Sequence, residues 1–157
     1  MGIAISLLQF LETHDVEYDL ISHPHTGNSI ETAKTTHIPG KQLAKAVLLE
    51  DADGKYLMAV IPTTHHIDLA RLHHLLGKQV GLATESEIAQ VFSDCEPGAI
   101  PPLGEAYGLQ VIVDRRLEKE PDIFIEGGQH DTVIHLSGLD FSDLVINAPD
   151  GYFSQPI

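Results

Sequence analysis

The chain has 157 residues, 43% of them hydrophobic, which predicts one domain with a single substantial core. Its formal net charge of −14 argues against a large nucleic-acid-binding surface, because such surfaces neutralise phosphates with lysine and arginine. One cysteine, Cys95, excludes an internal disulfide, and the absence of a bilayer-spanning apolar run or a secretory signal leads us to expect a cytoplasmic protein.

The first half of the chain shows local signals for alternating helices and strands. Asn28 followed three residues later by Glu31 is typical of a helix start, and the turn at 51–54 is typical of a hairpin. The predicted elements are, in order, a helix over 3–14, a strand over 18–21, a helix from Asn28 that stops before Pro39, strands over 45–50 and 55–61, and a helix from Asp68 to Gly77.

The second half begins with a capping box, Thr84 with Glu87, which predicts a helix through Phe92. Strands over 109–113, 122–125 and 132–136 and a short helix from Asp140 follow. This order predicts an α+β fold with a mixed, curled central β-sheet, barrel-like and surrounded by helices. We expect a single domain over 1–147 and a C-terminal tail over 148–157, which Tyr152 and Phe153 could attach to the body.

The segment 96–104 holds two glycines and three prolines and predicts a rigid loop. Proline fixes φ and has no N–H to donate, whereas glycine permits positive φ and close approach to a ligand. Fixed backbone N–H groups could hold an anion or a polarised carbonyl. An ordinary proline-rich connection is the alternative interpretation.

Lys45 lies at the start of a predicted apolar strand. Strand alternation places it on one face with Val47 and Leu49. A buried ammonium needs an anionic or carbonyl partner, because an unpaired buried charge is costly. Alternatively, Lys45 sits at the mouth of the strand and extends into water.

These features together resemble the YbaK/ProX aminoacyl-tRNA deacylases, which are similar to the editing domain of bacterial prolyl-tRNA synthetases. The resemblance runs over about 18–145. It rests on Lys45, on the pattern Gly98-x-x-x-Pro102-x-Gly104, and on the turn Gly127-Gly128-x-His130 before the last core strand. It implies hydrolysis of the ester that joins a wrong amino acid to the 3′ end of a tRNA, with no cofactor and no metal.

The resemblance also implies roles for individual residues. The loop amides, including those of Gly98, Ala99 and Gly104, would lie against the scissile carbonyl and the terminal ribose. Lys45 would contact the carbonyl or a phosphate, and His130 would hold the ribose or the water. The candidates for substrate binding are His23, Ile30, Ile100, Pro102 and Asp131. Ile30 and Ile100 would be pocket walls that select small residues such as alanine or cysteine, although both could be core residues.

Other interpretations of these residues stay open. His23 and His25 flank Pro24 in a turn that borders the site or is a surface loop, and Asp131 orients His130 or begins a strand. The pairs at 65–66 and 73–74 suggest a zinc site, but their spacing is not that of a metal motif.

The sequence departs from the family pattern in its acidity, in Pro101, which removes one loop donor, and in Ala46. The expected partners are the aminoacyl end of tRNA and a synthetase. A non-catalytic module that binds an aminoacyl, nucleotide or protein partner is the alternative function.

Overall fold

The computed structural model describes residues 3–157. Within these residues, five α-helices pack around an eight-stranded mixed sheet and a two-stranded sheet. The helices are α1 (Ile5–Thr13), α2 (Ser29–Thr36), α3 (Leu69–Leu76), α4 (Glu85–Val91) and α5 (Gly138–Leu144). The strands are β1 (Asp19–Ser22), β2 (Leu43–Asp51), β3 (Tyr56–Pro62), β4 (His65–Ile67), β5 (Val80–Leu82), β6 (Gln110–Asp114), β7 (Asp122–Glu126), β8 (Thr132–Ser137), β9 (Asp150–Gly151) and β10 (Ser154–Pro156).

The main sheet has the order β1-β8-β7-β2-β3-β6-β9, with β5 also paired to β2. The pairs β2–β3, β7–β8, β1–β8 and β2–β5 are antiparallel, whereas β2–β7, β3–β6 and β6–β9 are parallel. The predicted mixed α+β fold is confirmed. The barrel-like closure is not, because over residues 3–157 the path ends at β1 on one side and at β9 on the other.

The side chains of β2 alternate between two layers of the core. Ala44, Ala46 and Leu48 face the layer that contains α1 and α5. Val47 and Leu49 face the layer that contains α3. The predicted alternation of this strand is therefore confirmed, and it places Lys45 on the α3 side of the sheet, at the end of the row with Val47 and Leu49.

Local capping signals placed most helix starts correctly. The side chains of Asn28, Asp68 and Thr84 each accept the backbone N–H three residues further on, and Thr84 with Glu87 forms the complete capping box. The last helix is a correction. It starts at Gly138 with Ser137 as its cap, so Asp140 lies in its first turn instead of beginning it.

Residues 148–157, predicted as a tail, form two short strands. β9 pairs with the end of β6, and β10 pairs with β4. Phe153 is fully buried beside Leu72 and Ile112, so this segment contributes to the core. Whether 1–147 would fold without it stays a prediction. Along 3–157, no helix combines the length and the apolar character that crossing a bilayer requires.

Candidate active site

One stretch of β2 has no partner strand on the side where β7 and β5 pair with its two ends. β7 pairs with β2 at Leu43 and Ala44, and β5 pairs with it only from Leu49 onward. Between these contacts, Ala46 and Val47 line a depression of about 210 Å³ together with Ile100 of the glycine/proline loop. The loop therefore reaches the same stretch of β2 that carries Lys45.

The Lys45 side chain is half-buried, and burial lowers the pKa of its ammonium. Its Nζ donates to the carbonyl of His65, 3.3 Å away. Alternation places Lys45 on the same face as Val47 and on the face opposite Ala46, and both of these neighbours line the depression. The structure therefore brings the backbone of Lys45 to the loop, whereas its ammonium is hydrogen-bonded to the first residue of β4. The convergence of this ammonium with the loop amides stays a prediction.

Gly98 is the residue at which the loop meets the rest of the site. Its φ is +82°, and a Cβ at this position would lie 3.0 Å from the carbonyl oxygen of Gly27 and 3.1 Å from a ring carbon of His130. Only glycine satisfies both the left-handed backbone and this close approach. The Gly98 motif and the turn that contains His130 are therefore in direct contact.

Other residues of the loop form hydrogen bonds within the loop or pack against the sheet. The N–H of the buried Ala99 donates to the carbonyl of Glu96 at 3.1 Å, so this amide closes the turn. A Cβ on Gly104 would lie 2.7 Å from Val111 and 3.3 Å from Met58, which makes Gly104 a close-packing residue over the sheet. Pro102 is buried between these two positions, and Ile100 is partly buried.

Glu96 joins three segments that are far apart in the sequence. One carboxylate oxygen accepts the backbone N–H of His130 at 3.0 Å, and the other lies 3.1 Å from Nε2 of His25. The N–H of Glu96 also donates to the carbonyl of Gly128 at 2.7 Å. The hydrogen bonds from His130 and His25 lower the pKa of this carboxyl, so it is ionised at neutral pH.

His130 is 4% exposed, and its ring is fixed from two sides. Nε2 is hydrogen-bonded to the carbonyl of Pro97, and the ring of His25 packs edge-on at 5.2 Å between centroids. Within residues 3–157, its Nδ1 is one of three buried side-chain polar atoms that have no hydrogen-bond partner; the other two are His23 Nε2 and Glu126 Oε2. Buried polar atoms without a partner are rare in folded proteins, and each of these three calls for an explanation such as a bound water or ligand.

The remaining predicted residues surround this turn. The N–H of His23 donates to the carbonyl of Asp131 at 2.9 Å, and its Nδ1 lies 2.7 Å from the carbonyl of Pro24. The carboxylate of Asp131 accepts from the hydroxyl of Thr132 at 2.9 Å, which lowers its pKa. Ile30 is 43% exposed on α2, which excludes the alternative that it is a core residue.

Glu126 is a buried carboxyl that the sequence analysis missed. It ends β7, is 1% exposed, and accepts from the hydroxyl of Ser29 at 3.3 Å. Burial raises its pKa to about 7 against the hydrogen bonds from Thr32 and Ser29. Because Ala44 pairs with Ile125 in parallel register, Glu126 and Lys45 are the next positions on their strands and occupy the same face.

Cys95 and the histidine pairs lie outside this cluster. Burial raises the pKa of the Cys95 thiol to about 12, so it is not a nucleophile at neutral pH. His73 is bonded through Nε2 to the carbonyl of Val80 at 2.8 Å. In the described part of the chain, no three histidine, cysteine, aspartate or glutamate side chains are grouped to hold a metal ion.

A family model described as an aminoacyl-tRNA editing domain matches residues 23–144, which include Lys45, the loop and the turn at 127–131. The chain belongs to this family. The editing domain is also 31% identical over 109 residues to a proline–tRNA ligase of Trichlorobacter lovleyi. That match covers 69% of this chain but only 18% of the ligase, so the chain corresponds to about a fifth of that relative.

Two solved structures share the fold of the editing domain. The hypothetical protein APE2540 is 20% identical with a TM-score of 0.84, and the alignment covers 96% of this chain and 99% of that one. A candidate trans-editing enzyme for prolyl-tRNA synthetase is 19% identical with a TM-score of 0.81, over 97% and 96% of the two chains. At these identities the likeness shows the fold alone.

Proposed function

We propose that this editing domain is a trans-acting hydrolase that deacylates misacylated tRNA carrying a small amino acid, alanine or cysteine, for example on the proline tRNA. The observation that carries the proposal is the contact between Gly98 and His130. It joins the glycine/proline loop to the Gly-Gly-x-His turn, so the two sequence motifs on which the resemblance rests meet at one place.

The proposed reaction needs little rate enhancement from the site, because an aminoacyl ester is already activated. A water attacks the ester carbonyl, and the oxygen of that carbonyl becomes negatively charged. Fixed backbone N–H groups of the loop, with that of Gly98 first among them, would stabilise this oxyanion, and one such donor contributes about 3 kcal/mol. Lys45 would contact the carbonyl or a phosphate of the substrate, and His130 would hold the terminal ribose or the water.

Selection of a small amino acid would come from the size of the site. Ile100 borders the depression lined by Ala46 and Val47, and steric contact with this wall would exclude larger side chains. Preference among small residues is harder, since one methylene changes binding by only about 1–3 kcal/mol. Alanine and cysteine are therefore the expected targets.

The net charge of −14 limits the surface with which this domain can bind tRNA. Tight binding to the nucleic-acid backbone needs many lysine and arginine contacts, and the chain has 9 such residues against 23 acidic ones. We therefore propose that the domain acts in the cytoplasm on the aminoacyl end alone, and that a synthetase partner supplies the remaining tRNA affinity.

The test is deacylation of a panel of mischarged tRNAs by the purified protein, measured as free amino acid released. We expect turnover on alanyl or cysteinyl tRNA and a loss of at least about 100-fold in Lys45→Ala, as for removal of one oxyanion donor. Lys41→Ala is the matched control, because this exposed lysine lies just before β2. Its activity should equal that of the unaltered protein.

The outcomes separate the two candidate functions. Release of alanine or cysteine that Lys45→Ala leaves unchanged would reject the role of Lys45. The absence of release from every tRNA of the panel would reject the hydrolase and favour a non-catalytic module that binds an aminoacyl or nucleotide ligand at the same turn. The hydrogen bond from Lys45 to His65 is the observation that favours this second function, because it directs one of the three N–H donors of the ammonium to the protein's own backbone.

A further inference from the structure

We propose that the main chain of Ala46 binds the amino acid part of the substrate. Its N–H donates to the ester carbonyl, and its C=O accepts from the α-amino group. The inference rests on the proposed hydrolase function and adds to it the place at which the aminoacyl group is held. It is carried by a short gap in the strand pairing of β2, which the glycine/proline loop borders.

The hydrogen-bonding groups of β2 point alternately to its two sides. The carbonyl of Leu43 accepts the N–H of Thr63 at 2.9 Å, so the odd-numbered positions are turned to the β3 side. The carbonyl of Leu48 accepts the N–H of Ala83 at 3.0 Å, so the even-numbered positions are turned to the side of β5 and β7. The pairing of β2 with β3 has no bulge that would change this order, and the N–H and C=O of Ala46 therefore point to the β5 and β7 side.

Ala46 has no strand beside it on that side. The pairing with β7 ends at Ala44, and the pairing with β5 begins at Leu49. Within residues 3–157, the N–H and C=O of Ala46 take part in no hydrogen bond, and the residue is partly exposed. Free main-chain groups at a strand edge are ready to pair with another polar molecule.

The gap matches one amino acid better than it matches a strand. Between Ala44 and Leu48, Ala46 is the only position whose main chain faces this side. A docked strand would need several such positions, whereas an aminoacyl ester offers one acceptor, its carbonyl, and one donor, its α-amino group. These two groups complement the C=O and N–H of Ala46, as in a hydrogen-bonded pair of antiparallel strands.

This pairing also fixes the direction of the bound side chain. Two residues that pair across antiparallel strands point their side chains to the same face of the sheet. Ala46 lines the depression together with Ile100 of the loop and with Ile88 and Phe92 of the α4 region. The side chain of the bound amino acid therefore enters this depression and contacts Ile100.

The contact binds the substrate without any side chain of the protein and without transfer of a proton. The ester carbonyl gains negative charge when water adds to it, so the hydrogen bond from the N–H of Ala46 becomes stronger in the transition state. An oxyanion accepts more than one hydrogen bond, and this donor adds to those of the loop. Since every amino acid has an α-amino group, Ala46 recognises the class of substrate, and the depression selects the side chain.

The test is steady-state deacylation of alanyl-tRNA by Ala46→Pro. Proline removes the N–H that faces the gap and is tolerated where that N–H has no ladder partner, since the positions turned to β3 are Lys45 and Val47. We expect kcat/KM to fall at least about tenfold. Leu20→Pro is the matched control, because it removes an N–H at the outer edge of β1, and its kcat/KM should stay within about twofold.

A second variant removes the N–H of Ala46 and keeps the side chain. Lactic acid in place of alanine at position 46 replaces the N–H by an ester oxygen, and we expect the same loss of at least about tenfold. The C=O of Ala46 is tested with propionyl-tRNA, which has the ester but no amino group. Its deacylation, corrected for its own hydrolysis in buffer, should be at least about tenfold slower than that of alanyl-tRNA.

The outcomes separate this inference from the hydrolase function. Circular dichroism shows whether Ala46→Pro is folded, and if it is not, the ester variant decides. An ester variant with unchanged kcat/KM on alanyl-tRNA would overturn the contact with the N–H and leave the hydrolase in place. Equal corrected rates on propionyl-tRNA and alanyl-tRNA would overturn the contact with the C=O. A protein that is inactive on every mischarged tRNA overturns the hydrolase and this inference together.

Discussion

Glu126→Gln should make the domain more stable at neutral pH and have little effect in acid. The carboxyl is 1% exposed, and burial raises its pKa from 4.5 to about 7. Between these two pH values the folded protein holds a proton that the unfolded chain has released. Its free energy of unfolding therefore falls as the pH rises through this window and is constant above it. At 1.36 kcal/mol for each pH unit, the loss is about 3 kcal/mol.

Glutamine has nearly the same shape and cannot ionise, so the variant should not show this loss. Urea unfolding at several pH values from 4.5 to 8 measures the difference. We expect the two proteins to agree within about 0.5 kcal/mol at pH 4.5, and Glu126→Gln to be more stable by up to about 3 kcal/mol at pH 7.5. Glu12→Gln, on the exposed side of α1, is the control. A difference between the two proteins that does not change with pH would refute burial as the cause of the raised pKa.

Two further substitutions test the local geometry. Gly98→Ala should lower the free energy of unfolding by about 1–2 kcal/mol because of its φ of +82°, and by more because of the contact with the Gly27 carbonyl. Gly54→Ala, with φ +78° and nothing within 4 Å of the added Cβ, should show only the first of these costs in urea unfolding. Equal losses of stability in the two variants would contradict this explanation. Burial disfavours the charged form of His135, but its hydrogen bonds to Asp122 and Asp19 outweigh burial and raise its pKa. The interaction of the charged imidazole with these carboxylates therefore stabilises the fold below about pH 6.5, and this stabilisation is lost as the pH rises. Asp122→Asn should therefore cost under about 1 kcal/mol at pH 5.5 and nearly nothing at pH 8, and an equal cost at both would show that charge is not involved.

Much of the fold could be predicted because its signals are local. The caps at Asn28, Asp68 and Thr84 each act within three residues, and the hairpin at 51–54 needs only its own turn. The short strands β4, β5, β9 and β10 were missed for the opposite reason. Each has two or three residues and exists because a partner strand lies beside it, so no window of sequence contains the cause.

One contact within the candidate site could be predicted from the positions of glycine. The glycines at position 98 and in the turn at 127–128 indicated positions where the backbone approaches another group. Gly98 does so, because it lies against His130. Glu96 and Glu126 were missed, because their partners lie 34 and 97 residues away in the sequence. The available signals were weak: a carboxylate directly before a Pro-Gly pair, and an acidic residue that ends an apolar strand.

The two carboxyls that the sequence analysis missed, Glu96 and Glu126, have pKa values shifted in opposite directions by their surroundings near the His130 turn. Glu96 is partly exposed, and the hydrogen bonds from His130 and His25 keep it charged. Glu126 is buried, and burial raises its pKa to about 7, which favours the protonated form. Environments that separate the pKa values of neighbouring acids are typical of sites that move protons. The His130 turn therefore lies between a carboxylate that hydrogen bonds keep charged and a carboxyl whose neutral form is favoured by burial.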